Sequence, residues 1–405
     1  MDFNSRRFQS DAMHVQSQTA ALRELALLFL KLGTIAFGGP AAHIAMMEDE
    51  VVRRRGWLSH AQFLDLLGAT NLIPGPNSTE MAIHIGRMRA GWAGLLVAGA
   101  CFILPAASMV VAIAWVYIKF RTLPQVGALL YGVKPVIVAI VVQALWGLGR
   151  AAMKTSFLAT VALVAAGASL LGLNELMVLL GAGSIVGVSR GITSQGKKSS
   201  SFLSAVFAIT AGAPLAQVGV TAGTLGVAPF SIGLLFLLFL KIGSILFGSG
   251  YVLLAFLRAD LVERLGWLTE GQLLDAIAVG QITPGPIFTT ATFIGYLLAG
   301  LQGALVATCG IFLPAFVFVA LSGPLVPRLR QSPTAGAFLD GVNVASLALM
   351  AVVTWQLGQA ALIDLTTVAL AIVSAVLLFR FRLNSVWLVC GGALIGLLSF
   401  TLGWE

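Results

Sequence analysis

The sequence Asn71-Leu-Ile-Pro-Gly-Pro-Asn-Ser-Thr-Glu80 interrupts an apolar segment that is otherwise long enough to cross a lipid bilayer. Proline removes a backbone donor and clashes with the preceding turn, so a helix cannot continue smoothly through Pro74 and Pro76. Pro76 can instead begin a new helix, because the first helical position needs no donor. The N–H groups of residues 77–79 would then be unpaired at a helix end that carries partial positive charge. Because irregular backbone is tolerated in a membrane only beside protein or water, the stretch predicts a broken helix with an anion site at the break.

The same motif recurs as Gln281-Ile-Thr-Pro-Gly-Pro-Ile-Phe-Thr-Thr290, 210 positions after the first copy, so that Pro284 and Pro286 repeat the two prolines. That offset also aligns residues 29–38 with 239–248, and an offset of 209 aligns Leu104-Pro105 with Leu313-Pro314. A match of this length indicates an internal duplication. Two interrupted helices at corresponding positions of two repeats are typical of the binding site of a secondary transporter.

The composition is that of a membrane protein with several spans. Of the 405 residues, 58% are hydrophobic and only 10% are charged, whereas a soluble domain carries roughly 25% charged residues. The net charge of +8 does not indicate a nucleic-acid partner, because the basic residues lie in short clusters between apolar spans, as in proteins oriented in a membrane. Three cysteines without CxxC spacing and four scattered histidines predict neither a metal site nor a cofactor. The lipid bilayer is the partner that this composition requires.

Each repeat holds six apolar stretches of about the spanning length. A Gly- and Ala-rich stretch, 201–228, lies between the repeats. If it crosses the membrane, 16 of the loop cations lie on one side and 5 on the other, whereas without a crossing the division is 10 and 11. The positive-inside rule favours the crossing. The stretches are residues 22–42, 61–86, 91–118, 125–149, 156–173 and 175–190 in the first repeat and 231–252, 271–297, 300–323, 334–358, 361–379 and 385–403 in the second.

The predicted fold is therefore an all-α polytopic membrane protein with 13 spans, built from two inverted six-span repeats. We expect a cytoplasmic tail (1–20), a first repeat (21–190), a linker with the connecting span (191–230) and a second repeat (231–405). Arg53, Arg54 and Arg55 would lie in a loop on the less positive side. The acidic residues 48–50 are expected to neutralise them in part.

Lysines occupy equivalent positions in the first span of each repeat, at Lys31 and Lys241. A lysine deep in a span is costly and usually faces the protein interior or a water path, which favours an anion-facing role over snorkelling to the interface. Lys134, beside Pro135, is a further candidate, although its counterpart is Asn343. Asp65 and Asp275 match across the repeats and could either neutralise the lysines or cap the interfacial end of the broken spans.

Glu80 and His84 lie four residues apart on the helix after the first break and therefore share one face. A carboxylate and an imidazole on one face inside a membrane could relay a proton, or they could form a buried hydrogen-bonded pair that fixes the helix. Their counterparts are Thr290 and Ile294, so only the first repeat keeps the titratable groups.

The motifs together resemble the chromate ion transporters. The resemblance covers nearly the whole chain and rests on four motifs of the first repeat and their second copies, together with His84-Ile-Gly86. It implies a carrier in the bacterial inner membrane that exports chromate, driven by the membrane gradient, with two homologous halves of opposite orientation. The family's usual pattern has an aromatic residue after Gly86, where this chain has Arg87. The four motifs are Phe37-Gly-Gly-Pro40, Gly56-Trp57-Leu58, Pro74-Gly-Pro-Asn-Ser-Thr-Glu80 and Phe102-Ile-Leu-Pro105.

Chromate is a tetrahedral dianion, so its site needs hydrogen-bond donors from several directions and compensating positive charge, without binding so strong that release stalls. Sulfate or another tetrahedral oxyanion would satisfy the same site, and an importer, an anion channel and a membrane-embedded enzyme are further alternatives. The chain is expected to act alone or as a homodimer. The residues expected to bind the anion are Lys31, Gly75, Asn77, Ser78, Thr79, Lys134, Lys241, Gly285, Thr289 and Thr290.

Overall fold

The computed structural model describes residues 3–37, 39–120, 123–193, 230–246, 252–330, 333–381, 383 and 385–402, and these residues form helices and no strand. The predicted connecting span, 201–228, and residues 247–250, the second copy of the Phe37-Gly-Gly-Pro40 motif, lie outside the described residues. In chain order the helices are α1 (Phe3–Ile35), α2 (Gly39–Glu48), α3 (His60–Thr70), α4 (Asn77–Phe120), α5 (Pro124–Ala152), α6 (Ser156–Leu170) and α7 (Glu175–Thr193), then α8 (Ile232–Ile245), α9 (Leu253–Leu257), α10 (Glu270–Ile282), α11 (Thr290–Arg330), α12 (Pro333–Ala361), α13 (Leu365–Phe381) and α14 (Ser385–Leu402).

The described helices confirm an all-α protein that crosses a membrane several times. Five segments are long and apolar enough to span, and four shorter helices are also apolar. The count of 13 spans and the opposite orientation of the repeats stay predictions. The five long segments are Asn77–Phe120, Pro124–Arg150, Ile287–Ser322, Gly336–Ala361 and Ser385–Leu402.

The two repeats have the same order of elements, with α1 to α7 corresponding to α8 to α14. They also share a feature that the sequence did not predict: the segment after the first span, expected to be a loop, is helical in both repeats. Gly39, with φ 78°, redirects the chain after α1, and α2 continues into a π-helical turn, Asp49–Arg54. The apolar side chains of Met47 and Val51 are fully buried, which explains why this polar segment folds back onto the protein. In the second repeat α9 likewise continues into Arg258–Arg264.

A tight helical hairpin follows each Pro-Gly-Pro motif. In α4 the chain reverses at Ala90-Gly91, where Gly91 has φ 61°, a conformation that side chains other than glycine rarely adopt. The two limbs touch at Gly86 and Gly94, so closely that a Cβ on Gly86 would lie 2.2 Å from the Gly94 carbonyl oxygen. Small residues thus allow the limbs to pack backbone to backbone. The hairpin folds the beginning of α4 back toward the middle of its second limb, and α11 repeats it at Ala299-Gly300.

The repeats pack into each other rather than side by side. Helix α4 of the first repeat contacts α11 of the second, α5 contacts α12, α13 and α14, and α7 contacts α12. Within each repeat, a glycine of the first helix brings its backbone close to the second limb of the hairpin. A Cβ on Gly33 would lie 2.6 Å from the Phe102 carbonyl oxygen, and one on Gly243 would lie 2.3 Å from that of Ile311. The helix contacts between the repeats place the two Pro-Gly-Pro segments at the boundary between them.

Candidate functional site

The first Pro-Gly-Pro segment, which we call the first turn (residues 71–76), separates α3 from α4. Gly75 has φ 139°, which favours glycine at this position. Its N–H donates a 2.7 Å hydrogen bond to the carbonyl oxygen of Leu246, the residue that follows α8. The first turn is therefore anchored to the first helix of the other repeat.

The second turn (residues 283–286) makes the reciprocal contact. It separates α10 from a single 3₁₀ turn, Ile287–Thr289, and from α11. Gly285 has φ 91°, and its N–H donates a 2.9 Å hydrogen bond to the carbonyl oxygen of Ala36, the residue after α1. Gly75 and Gly285, and likewise Ala36 and Leu246, are separated by 210 positions. Each turn is thus held by the equivalent carbonyl of the opposite repeat.

Both turns lie against the long second limb of the opposite repeat's hairpin. A Cβ on Gly285 would lie 2.7 Å from the Cβ of Ala106 in α4, and one on Gly75 would lie 3.7 Å from the Cβ of Ala315 in α11. Each alanine stands about midway along its limb of the helix. The two turns therefore occupy equivalent positions in the middle of the helical layer, where irregular backbone requires a protein or water environment.

The prediction that all N–H groups of residues 77–79 are unpaired was wrong for Thr79. Its N–H donates to the carbonyl oxygen of Pro76 over 2.8 Å, and in the second repeat Thr289 N–H donates to Pro286 over 3.0 Å. The cause is a tightened first turn with i→i+3 hydrogen bonds, which satisfy part of a helix end. The first two N–H groups of each helix start precede the hydrogen bonds of Thr79 and Thr289, and such positions are where a helix end can bind a ligand.

The hydroxyl groups of the second helix start are also engaged. Thr289 Oγ1 donates to the Pro286 carbonyl and Thr290 Oγ1 to the Ile287 carbonyl, each over 2.8 Å. Each hydroxyl can still accept a hydrogen bond through its lone pairs, but its proton is already donated to a backbone carbonyl. These two threonines can therefore donate to an anion only if the hydroxyls rotate.

Four side chains at the start of α4, of which Asn77 is partly exposed and the others are buried, form what we call the first-turn polar cluster: Asn77, Thr79, Glu80 and His84. Glu80 is fully buried, and both of its carboxylate oxygens lack a hydrogen-bond partner among the described residues. The same holds for Asn77 Oδ1, Thr79 Oγ1 and His84 Nε2, whereas Asn77 Nδ2 donates to Asn71 Oδ1. So many unpaired buried polar atoms are costly and are typical of a site that meets a ligand, an ion or a proton.

The Glu80 carboxylate lies directly against the first turn. A Cβ on Gly75 would be 2.3 Å from Glu80 Oε1, so only glycine leaves room for the carboxylate at this position. Ser78, also predicted to bind the anion, is 2% exposed beside it. The structure thus brings Gly75, Ser78 and Glu80 together at the first break.

The carboxylate partners of the two span lysines differ from those proposed from the sequence. Lys31 Nζ lies 2.7 Å from Glu50 Oε1, and Lys241 Nζ lies 2.9 Å from Asp260 Oδ2. Glu50 and Asp260 are themselves 210 positions apart and lie in the π-helical turns after α2 and α9. The hydrogen bond from the Lys31 ammonium lowers the pKa of the Glu50 carboxyl, and Arg55 lowers it further. Burial of the carboxyl raises this pKa but does not outweigh the two cations.

Neutralisation of Lys241 by Asp275 was therefore a wrong prediction, because Lys241 pairs with Asp260 and Asp275 with Lys134. Neutralisation of Lys31 by Asp65 stays a prediction. The helix-capping alternative was wrong too, because the capping side chain at the start of α3 is Ser59. Its hydroxyl and Gln62 form a reciprocal capping box, as do Thr269 and Gln272 at α10.

Asp275 instead joins the repeats through Lys134. Lys134 Nζ lies 3.4 Å from Asp275 Oδ1, and Tyr117 Oη donates a 2.8 Å hydrogen bond to Asp275 Oδ2. Asp275 is 4% exposed and lies on α10, whereas its two partners lie on α4 and α5. The charge of Lys134 is thus engaged in a buried ion pair, which is destabilising to break on one side.

The arginine run at residues 53–55 and Arg87 also have partners in the structure. The prediction that acidic residues neutralise Arg53, Arg54 and Arg55 is confirmed by ion pairs of 3.4, 2.7 and 3.2 Å with residues 48, 49 and 50, respectively. Arg87, the departure from the family pattern, donates two 2.6 Å hydrogen bonds to the carbonyls of Val319 and Ala320. Arg87 therefore ties the two hairpins together.

A cavity of about 380 Å³ borders the second turn. It lies between the two repeats, and none of the described residues that line it is a lysine. The sequence did not single out its histidine, His43, which lies in the segment expected to be a loop after the first span and whose equivalent in the second repeat is Leu253. Its polar lining residues are His43, Gln143, Gln281, Thr283 and Ser385.

The described part of the chain contains no group of three or more His, Cys, Asp or Glu side chains that could hold a metal ion. Cys101 is partly buried, and Cys309 and Cys390 are exposed, all three as free thiols on helices.

Comparisons with known proteins agree with these features. The family model for chromate transporters matches residues 23–188 and again 233–397. A chromate transport protein of Cupriavidus metallidurans is 34% identical over 95% of this chain and 94% of its own length. One from Pseudomonas aeruginosa is 33% identical over 93% and 92%, and a probable chromate transport protein of Synechococcus elongatus is 31% identical over 91% and 92%. No solved structure matches the chain.

Proposed function

Because this chain belongs to the chromate transporter family, we propose that it exports chromate from the cytoplasm across the inner membrane of a bacterium. The family is one of transporters, so the chain is not an enzyme. The observation that supports the proposal most strongly is the reciprocal anchoring of the two turns, Gly75 to Leu246 and Gly285 to Ala36. This arrangement makes both breaks part of one structural unit between the repeats.

The proposed site is a single anion site at the junction of the two turns. Helix starts at Asn77 and Ile287 offer N–H groups and the positive ends of two helix dipoles. The cavity beside Gly285 supplies space lined by polar side chains. Neutral donors suit a substrate that must also be released, because binding that is too strong would stall transport.

We propose that Lys31 and Lys241 supply positive charge to the anion as it moves. Each lysine is paired with a carboxylate in the structure, so the dianion would compete with Glu50 or Asp260 for the ammonium group. Lys31 and Lys241 have exposed side-chain fractions of 49% and 32%, which leaves their ammonium groups accessible. Lys134 is proposed as a weaker contributor, since Asp275 already holds it.

Alternating access is proposed to arise from rocking of one repeat against the other. In a pair of inverted repeats, exchanging the conformations of the two halves turns an inward-open site into an outward-open one. The hydrogen bonds from Gly75 and Gly285 cross the boundary between the repeats and are the contacts that such a motion would rearrange. The first-turn polar cluster is proposed to take up and release the coupling proton through Glu80 and His84.

Everted membrane vesicles test the proposed function directly. With an imposed pH gradient, vesicles that contain the wild-type protein should accumulate radiolabelled chromate, and vesicles without the protein should not. Excess sulfate measures whether the site prefers chromate or accepts any tetrahedral oxyanion. Equal chromate uptake in both vesicle types would contradict the proposal.

Replacing Lys31 by alanine is expected to abolish chromate uptake into these vesicles. The test must separate loss of the anion's counter-charge from the loss of a partner for Glu50, which would be left 9% exposed beside Arg54 and Arg55. The double variant Lys31→Ala/Glu50→Gln removes both charges. If Lys31 serves the anion, the double variant stays inactive at wild-type membrane levels. Recovery of uptake in the double variant would reduce Lys31 to a partner of Glu50.

A further inference from the structure

His43 shares a backbone carbonyl with the second turn. The ring lines the cavity, is 1% exposed, and places Nε2 2.9 Å from the Ala36 carbonyl oxygen. Because a carbonyl oxygen can only accept, Nε2 carries a proton and donates it. The same oxygen accepts the N–H of Gly285. His43 is thus attached to the atom that anchors the turn.

The second ring nitrogen of His43 has no such partner. Nδ1 is buried and unpaired among the described residues, and the ring is held edge-on against Phe102 at a centroid distance of 5.7 Å. A buried polar atom that native packing leaves unpaired requires an explanation, such as a ligand present at another stage. Burial lowers the pKa of the His43 imidazole to about 4, so without a ligand the ring is neutral and Nδ1 is an acceptor. A dianion beside Nδ1 offsets this desolvation, and the ring that then takes up a second proton donates from Nδ1.

The walls of the cavity suit an anion. The other polar side chains that line it are amides and hydroxyls, and His43 is the ionisable one among the described lining residues. No described carboxylate lines the cavity to repel a dianion. A volume of about 380 Å³ accommodates a small oxyanion with bound water, at about 30 Å³ for each water molecule.

We propose that His43 is a substrate-binding residue, present in the first repeat without a histidine at the equivalent position of the second. With both nitrogens protonated, it holds the Ala36 carbonyl through Nε2 and donates Nδ1–H to an oxygen atom of the tetrahedral oxyanion in the cavity. This inference rests on the proposed chromate transport. Within the shared anion site it assigns the ionised side-chain donor to the side of the second turn, and it leaves the first-turn polar cluster for the proton. The two turns then differ in task, as their sequences differ at Glu80 and Thr290.

The rival reading is that His43 only braces the second turn through the Ala36 carbonyl. His43→Gln separates the two roles, because glutamine keeps an N–H donor for that carbonyl and lacks the positive charge and the second ring donor. Bracing alone would leave the affinity for chromate unchanged. Binding of the anion by His43 would make the affinity fall, because a hydrogen bond from a charged donor is about twice as strong as a neutral one.

The experiment is the dependence of the initial rate of chromate uptake into everted vesicles on chromate concentration. We expect His43→Gln to raise KM at least about tenfold while the maximal rate at equal protein level is retained. His60→Gln is the matched control, since His60 is exposed near Glu48, and its KM should equal that of the wild type. An unchanged KM in His43→Gln would overturn the inference.

Two further outcomes are distinguishable. If the wild-type protein moves no chromate, the proposed function fails, and this role of His43 fails with it. If the wild type transports and His43→Gln keeps the wild-type KM, only the His43 inference fails. Should His43→Gln not reach the membrane, His43→Asn, which also keeps an amide donor, is measured in its place and judged by the same KM.

Discussion

Replacing Glu80 by glutamine is expected to abolish the accumulation of chromate that a pH gradient drives, while exchange of chromate across the membrane continues. Glu80 is fully buried, and neither of its two carboxylate oxygens has a hydrogen-bond partner among the described residues. Glutamine keeps the size and the polar character of the side chain, but it cannot gain or lose a proton. The effect should therefore fall on the coupling to protons and spare the passage of the anion.

The measurement compares two assays on the same proteoliposomes. In one, a pH gradient drives net chromate uptake, and in the other, unlabelled chromate inside exchanges for labelled chromate outside with no gradient. Glu80→Gln should fall to the level of protein-free liposomes in the first assay and stay active in the second. Glu24→Gln makes the same chemical change at a half-exposed carboxylate paired with Arg89, and it should match the wild type in both. Normal gradient-driven uptake in Glu80→Gln would limit Glu80 to packing.

Replacing Gly285 by alanine is expected to lower chromate uptake at least about tenfold without removing the protein from the membrane. At φ 91° a residue with a side chain is strained, by about 1–2 kcal/mol. The new Cβ would also lie 2.7 Å from the Cβ of Ala106, which requires the turn or α4 to shift. A shift would weaken the hydrogen bond to Ala36, and each 1.4 kcal/mol or so corresponds to a factor of ten.

Gly391→Ala is the matched control, because a Cβ on this helical glycine meets no atom within 4 Å. It should retain wild-type uptake and wild-type membrane levels. Gly75→Ala tests the other turn, where the new Cβ would lie 2.3 Å from Glu80 Oε1. If Gly285→Ala transports at the wild-type rate, the second turn does not belong to the transport site.

The sequence placed the two breaks correctly because proline and glycine act locally. Pro76 and Pro286 stop one helix and allow another to start whatever surrounds them. The duplication then identified equivalent positions, including Lys31 and Lys241 and the glycines of the two turns. The family resemblance, confirmed by the match over both repeats, followed from the same motifs.

Side-chain partners were predictable only where they lie close in sequence. The ion pairs of Arg53 to Arg55 with residues 48–50 join neighbours, and the sequence predicted them. The partners of Lys31 and Lys241 lie 19 residues away in the sequence. They come close only because the chain after the first span of each repeat folds back as a helix, whereas its polar sequence had suggested a loop. Glu50 and Asp260 nevertheless carried a signal, since a carboxylate occurs at the same place in both repeats.

Two asymmetric residues, Tyr117 and His43, were missed because the groups that they meet lie in the other repeat. Tyr117 and His43 face the other repeat, and neither has a counterpart of the same type, Val326 and Leu253 standing in their places. Only the packing between repeats shows that they meet Asp275 and the second turn.

The claim that both turns build one anion site is tested most directly by the number of chromate ions that each chain binds. Equilibrium dialysis of radiolabelled chromate against the purified full-length protein gives this number for the wild type, Gly75→Ala, Gly285→Ala and the Gly391→Ala control. We expect one chromate per chain in the wild type and the control, and none in either turn variant. Two chromate ions per wild-type chain, with one retained in each turn variant, would show that each repeat holds its own site and would contradict the shared one.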